Sequence, residues 1–240
     1  MACHSFLLLA TTILVVVCSA VSDCSPSDTA ALLAFWKALN ELYLGLFNSW
    51  TGSNCYLNWY GISCDATIGY VTDINLYGES EDPIFEKANR SGYMTGKLSP
   101  VICDINTLTT LVVADWKDIA GEIHACVTAL PSLRILDLIG NKLFGEIPVN
   151  VDKLSHLTVL DLADNTLNGK IPTFITRLGS LKHLDLNNNQ LCSEIPEDFG
   201  NLAMLSRMLL NRNQLTGMPL RESYGEYVCL REGERAGVRG

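Results

Sequence analysis

The chain has 240 residues, 48% of them hydrophobic, and a formal net charge of −9. It is long enough to bury a sizeable core. Its acidic balance argues against a polyphosphate partner, because nucleic-acid binding rests on Lys and Arg neutralising phosphates, and against attachment to an anionic membrane surface.

The first stretch is an apolar run from Phe6 to Val17, followed by the small residues Cys18, Ser19 and Ala20. A dozen apolar residues fall short of the about twenty that span a bilayer. The pattern predicts a secretory signal over residues 1–22, with an uncleaved anchor or a buried helix as the alternatives. Of the nine cysteines, Cys3 and Cys18 would leave with the signal. The seven that remain are an odd number, so a secreted monomer keeps at least one unpaired thiol.

Residues 23–68 are predicted to form an N-terminal cap. Asp28 reads as a helix N-cap, and Ala31, Leu32, Phe35, Leu39 and Leu42 fall near helical spacing. From residue 69 to 219 the chain repeats, with about six turns. The first turn, YVTDINLYG, places Val71, Ile74 and Leu76 on a strand. An insertion over 79–93 then reads as a surface loop, the usual way a solenoid grows. It carries Asn89-Arg90-Ser91, a glycan acceptor in a secreted chain; an unmodified sequon is the alternative. The second turn, LTTLVVADWKDIAGEIHACV, puts Trp116 and His124 where later turns carry Asn and Pro. Cys103 and Cys126 fall on the convex side of successive turns, either bridged or as two buried thiols. Four copies follow: LRILDLIGNKLFGEIP, LTVLDLADNTLNGKIP, LKHLDLNNNQLCSEIP and LSRMLLNRNQLTGMP. Asn141, Asn165, Asn189 and Asn213 each lie 24 residues apart, whereas Leu111 and Leu136 are 25 apart. A fixed period of this length means a solenoid.

Each copy opens with leucines at alternate positions, a strand period. The strand is too short to stand alone and must lie about 4.8 Å from its successor in the next turn. Because each turn repeats the last, the sheet is parallel. The asparagine amide can bond backbone groups that the turn leaves unpaired, so stacked asparagines would form a ladder. Pro148, Pro172 and Pro196 turn the chain onto the convex side, and Leu154, Leu178 and Leu202 anchor it there. The predicted fold is an α/β solenoid: a right-handed superhelix with a parallel concave sheet and a helical N-terminal cap.

The repeated residues resemble the plant-specific, extracytoplasmic leucine-rich repeats, with pattern LxxLxLxxNxLxGxIPxxLxxLxx. The stretch SWTGSNCYLNWYGISCD, with the helix before it, resembles the cap of those proteins. That family commonly has a Cys-Cys pair before the tryptophan, whereas Tyr56 holds the second position here. Cys24, Cys55 and Cys64 then share one bridge. Cys24–Cys55 is what the resemblance implies, Cys55–Cys64 would close the shorter loop, and one cap thiol is left over. From WYGISCD through VTDINLYGESEDPIFEKANRSGYM to ADWKDIAGEI, the chain is similar to the plant DNA-damage-repair/toleration leucine-rich repeat proteins, relatives of polygalacturonase inhibitors. Those proteins carry further repeats and a cysteine-bearing C-terminal cap. Here Gly217-Met218-Pro219 is one residue short of the pattern and residues 220–240 do not repeat. A truncated or mispredicted product with a disordered tail is the expectation.

The residues between the strand leucines define a concave face: Asn75, Tyr77, Val112, Asp115, Arg134, Asp137, Asp161, Asp164, Lys182, His183, Asp185 and Arg207. Asp137, Asp161 and Asp185 form a column spaced like the carboxylates of a retaining glycosidase. On an open, solvated sheet, however, nothing would push one pKa above its neighbours. A Ca²⁺ site needs six to eight oxygens, more than one column supplies. A triad from His183, Asp185 and Ser206 lacks an elbow or oxyanion loop. Cys192 reads as packed in a turn, and His124 and His156 as exposed on the convex side. No cofactor or metal is expected. The sequence therefore predicts a secreted, extracellular or cell-wall binding module, not an enzyme, without a membrane span once the signal is removed. The resemblance implies a protein partner, such as a cell-wall polysaccharide-acting enzyme or a receptor-type complex. The rival reading, a DNA-damage tolerance role, would need a basic surface.

Overall fold

A computed structural model describes residues 24–65, 67–79, 83–89, 91–216 and 227–228. The signal stretch 1–22 and nearly all of 220–240 lie outside the described residues.

Each turn of the solenoid contributes a strand to the concave sheet, a strand to a second sheet, and a short 3₁₀ helix on the far side. The concave strands are Val71–Tyr77, Thr110–Ala114, Ile135–Asp137, Val159–Asp161, His183–Asp185 and Arg207–Leu209, neighbours in that order and all parallel. Ile62–Cys64 closes one edge antiparallel to Val71–Tyr77, and Tyr227–Val228 pairs with Arg207–Leu209 at the other. The alternating leucines place Leu136, Leu138, Leu160, Leu162, Leu184 and Leu186 in the core. Burying each such side chain stabilises by about 1.5–3 kcal/mol before entropy is counted.

The second sheet joins Met94–Lys97, Lys117–Glu122, Lys142–Glu146, Thr166–Gly169, Gln190–Glu194 and Gln214–Thr216 in parallel. It goes beyond the sequence expectation of a single sheet. Its signal was the second alternation in each copy, such as Leu143, Gly145 and Ile147, which reads as a turn when only the leading leucines are followed. The third side carries Ala125–Ala129, Val151–Lys153, Thr173–Arg177 and Glu197–Asn201 as 3₁₀ helices. Leu154, Leu178 and Leu202 anchor this side with exposures of 1%, 0% and 1%.

The asparagines stand in file. Asn165 Nδ2 donates to Leu162 O and Ala163 O of its own turn and to Leu138 O of the preceding turn. Its Oδ1 accepts from the Leu143 N–H. Asn189 and Asn213 repeat the arrangement. Trp116 fills the rung before Asn141: its Nε1–H donates to Leu76 O at 2.9 Å, the carbonyl an asparagine would meet. Asn141 donates in the usual way, but its buried Oδ1 has no partner. In regular turns that acceptor meets the amide two residues after the previous asparagine.

The insertion is more than a loop. Pro83–Ala88 is helical, and Phe85, 5% exposed, packs at 6.4 Å against the Trp116 ring. Asn89 lies exposed at the end of this helix with φ 49°.

The cap helix spans Pro26–Trp36 with Ser25 as N-cap. Asp28 is therefore not the cap. It is buried within the first turn, and its Oδ2 accepts from the Val71 N–H at 2.9 Å, tying the cap to the first repeat. The helix stops before Leu39, which begins a strand antiparallel to Met94–Lys97, and Leu42 is exposed. The cap core is aromatic: Trp50 stacks on Trp59 at 5.2 Å, and Phe47 meets Trp50 edge-on.

The bridges are Cys24–Cys55 and Cys103–Cys126. The first is the pairing that the family resemblance implies, and the second excludes two free thiols at those positions. Cys64 is left buried and free, its sulfur 3.3 Å from Cys55 Sγ and 3.5 Å from Cys24 Sγ. Burial first, then Asp28 and Asp73, pushes its thiol up to about 11. Cys192, expected to be packed, is exposed on the second sheet. The residue that replaces the small residue of the repeat is Ser193, with φ 85° where Gly145 and Gly169 have 82° and 75°.

Candidate functional site on the concave wall

Strand register sorts the concave residues into columns. One column runs Asp73, Thr110, Ile135, Val159, His183 and Arg207. Beside it runs Asn75, Val112, Asp137, Asp161, Asp185 and Leu209. The wall is therefore graded, with an apolar stretch at Ile135 and Val159, an acidic file next to it, and His183 and Arg207 toward the last turns.

Not every expected member lies open. Val112 is 1% exposed and offers no surface; a β-branched residue at this point packs into the wall. Tyr77 is 40% exposed at the end of its strand. Arg134 and Lys182 are exposed one position before the first column, at the strand entrances. Asp115 and Asp164 lie where the chain leaves the sheet. Both are left-handed, as are Gly140, Asn188 and Arg212, at φ 50° to 69°. A side chain on Gly140 would meet Asp115 Oδ1 at 2.2 Å. Asn188 Nδ2 donates to Asp164 Oδ1 at 2.6 Å.

The acidic file is not the open, solvated surface that the sequence suggested. Asp185 is 7% exposed, and the Asp161 and His183 side chains are 16% and 22% exposed. Parallel pairing brings flanking side chains against each carboxylate. In each, Oδ1 accepts from the amide two residues on: Ile139 at 3.2 Å, Ala163 at 3.1 Å and Asn187 at 3.0 Å. Burial raises Asp161 most, against the lowering effect of the Ala163 amide, and repulsion from Asp137, Asp185 and Asp164 adds to the rise, taking it to about 7. Asp137 is raised by burial, with Asp115 and Asp185 adding to it. Asp185 is also raised by burial, but the Asn187 amide, His183 and Arg207 hold it back. The three carboxylates thus have unlike acidities, against expectation. His183 is lowered by burial and by Arg207. Its Nε2 lies 3.8 Å from Asp161 Oδ2.

Ser206 does not complete a nucleophilic triad. It sits one residue before the His183–Arg207 column, and its hydroxyl donates to Lys182 O at 3.0 Å. His124 and His156 are exposed on the far side, and His124 Nδ1 accepts from the Cys126 N–H at the start of a 3₁₀ helix.

A capped stack of turns that presents a broad side-chain wall defines a solenoid of the recognition type. The leucine rich repeat profile matches residues 131–191 and 155–215, and the leucine rich repeat N-terminal domain profile matches 25–65. These matches span more than half of the chain, which belongs to the leucine-rich repeat proteins. It is 59% identical over 128 residues to the DNA damage-repair/toleration protein DRT100 of Arabidopsis thaliana, covering 53% of this chain and 34% of that protein. It is 30% identical over 122 residues to a polygalacturonase inhibitor of Vitis vinifera, covering 50% of this chain and 32% of that protein. The chain thus spans about a third of the length of these relatives. Among solved structures, a plant ice-binding protein matches with a TM-score of 0.68 and 30% identity, over 80% of this chain and 58% of that one. The ectodomain of the Arabidopsis thaliana receptor kinase GASSHO1/SCHENGEN3, in complex with CASPARIAN STRIP INTEGRITY FACTOR 2, matches with a TM-score of 0.68 and 28% identity, over 78% and 21%. The fold is that of the plant leucine-rich repeat ectodomains. No helix among the described residues is long and apolar enough to cross a membrane.

Proposed function

We propose that the chain is a secreted binding module, not an enzyme, and that its concave wall grips a protein partner. The observation that carries this reading is the graded wall: Ile135 and Val159, the file of Asp137, Asp161 and Asp185, and the imidazole of His183 beside the cation Arg207, held in register on one rigid sheet. Apolar contact beside fixed charge of both signs gives area and register together. The partner class is a cell-wall polysaccharide-acting enzyme or a receptor-type complex. Its support is the similarity to a protein named as a polygalacturonase inhibitor and to an ectodomain solved with a bound partner. Asn89, exposed at the end of its helix, is proposed to carry a glycan.

The rival reading takes its support from the name of the relative at 59% identity. A DNA-binding role would rest on phosphate contacts, and the buried file on this wall is acidic.

The test is titration calorimetry of the purified chain against a panel of fungal endopolygalacturonases, with Asp137→Ala/Asp185→Ala beside the wild type. Binding weakened at least tenfold in the variant, about 1.4 kcal/mol, supports the concave reading. Binding to an enzyme with no change in the variant refutes it, and salt-dependent retention on DNA in place of enzyme binding would favour the rival.

A further inference from the structure

We propose that Asp161, His183 and Asp185 form a binding site for a divalent transition cation of the zinc type. His183 and Asp185 lie two residues apart on one strand and so share the concave face. Asp161 is the in-register neighbour of Asp185 on the adjoining strand. The three therefore form a triangle dictated by pairing register. One donor atom from each falls within 4.8 Å of the other two, and His183 Nε2 is 3.8 Å from Asp161 Oδ2. Zinc bonds to His nitrogen and carboxylate oxygen of about 2.0–2.2 Å put donors about 3.4 Å apart in a tetrahedron. The donors need to close by roughly an ångström, within reach of side-chain rotation on a fixed backbone.

Each carboxylate is held as a metal-ligating carboxylate usually is, by a hydrogen bond to the oxygen not used. Asp161 Oδ1 takes the Ala163 N–H, and Asp185 Oδ1 takes the Asn187 N–H. That leaves Oδ2 of both. Asp185 is more than nine-tenths buried and takes only the Asn187 N–H, on Oδ1, among the described residues, which leaves Oδ2 open to ligate a cation.

Charge supports the same conclusion. The groups facing the triangle are Asp137, in register with Asp161, Asp164 at the strand exit, and Arg207, in register with His183. Asp137, Asp161, Asp164 and Asp185 against Arg207 leave a formal excess of three negative charges, most of which a divalent cation offsets. A mixed nitrogen–oxygen set of three ligands suits zinc rather than calcium, which takes six to eight oxygens. Three protein ligands leave one position open toward the concave hollow. A histidine or carboxylate of the partner would occupy it, a step that rests on the recognition reading; ion binding itself does not.

The experiment is calorimetric titration of the full chain, stripped of metal by chelator, with zinc chloride. The expected result is one saturable equivalent that weakens at least tenfold in Asp161→Asn and in His183→Ala, and is unchanged in His124→Ala/His156→Ala. Cobalt chloride should give the visible absorption of a four-coordinate ion in the wild type and lose it in His183→Ala. His183→Gln, which keeps a polar side chain of similar reach, serves if His183→Ala fails to fold as judged by circular dichroism. No saturable binding, or binding undiminished by the His183 substitutions, overturns the site. Zinc binding without polygalacturonase binding would leave the ion site standing and refute only the proposed partner.

Discussion

Asp161→Asn tests how strongly the parallel stack confines charge. The folded carboxyl titrates at about 7 against an ordinary 3.8. That gap is about three pH units, and at about 1.4 kcal/mol each it corresponds to roughly 4 kcal/mol. Residual exposure of the side chain, 16%, and shared titration with Asp137 and Asp185 reduce this to about 2–3 kcal/mol. Because the folded value is raised, the group's stabilising contribution is complete below about 3.8 and is lost as pH rises through 7. Asparagine resembles the protonated acid and still accepts the Ala163 N–H. The variant should therefore match the wild type near pH 4 and exceed it by about 2–3 kcal/mol at pH 8. Urea unfolding followed by circular dichroism, in chelator, from pH 4 to 8 provides the measurement. Parallel pH profiles for the two proteins, or a less stable variant at pH 8, would refute the reasoning.

Ser193→Gly should stabilise by about 1 kcal/mol, because φ 85° costs any residue with a Cβ; a lower unfolding midpoint would contradict the strain. Asn165→Ala should destabilise by about 3–5 kcal/mol, since it strips hydrogen bonds from the buried Leu138 and Leu162 carbonyls and the Leu143 amide; a loss under about 1 kcal/mol in urea would show that the ladder is incidental. Cys64 should resist iodoacetamide in the folded chain while exposed Cys192 reacts, and should react only in denaturant; peptide mapping that finds Cys64 alkylated under native conditions would exclude the buried thiol.

Period carried most of the fold. Leucines at alternate positions and asparagines 24 apart place the concave strands and the ladder without any knowledge of contacts, because each rung satisfies backbone groups that every turn leaves open. The second sheet was as periodic but less visible, since its strands mix Lys142, Phe144, Thr166 and Gln190 with a left-handed glycine position. Where the period broke, local reading failed. Asp28 looked like a cap because helix starts favour aspartate, yet it is engaged 43 residues away by the Val71 amide. The insertion looked like a loop because its need for burial came from Trp116, a residue outside it. Trp116 itself was placed at the asparagine position by alignment of the turns, but the indole N–H that makes it fit was evident only from the distance to Leu76 O.

The electrostatics of the wall show why side-chain spacing alone misjudged the site. Three aspartates on a sheet read as solvated when each is considered with its own strand. Parallel in-register pairing instead sets Asp137, Asp161 and Asp185 shoulder to shoulder, with Ile135, Val159 and His183 in the adjoining column. Water is displaced from the flanks while like charge is added along the file. Asp161 has an aspartate on each side. Asp185 has Asp161 on one side and Leu209 on the other, and the Asn187 amide, His183 and Arg207 hold its rise back. Burial sets the scale of the shift at each aspartate, and the charges and amides along and beside the file raise or restrain it. A repeat that copies one acidic residue from turn to turn therefore creates, at the middle of the copies, a negative centre that no single copy contains.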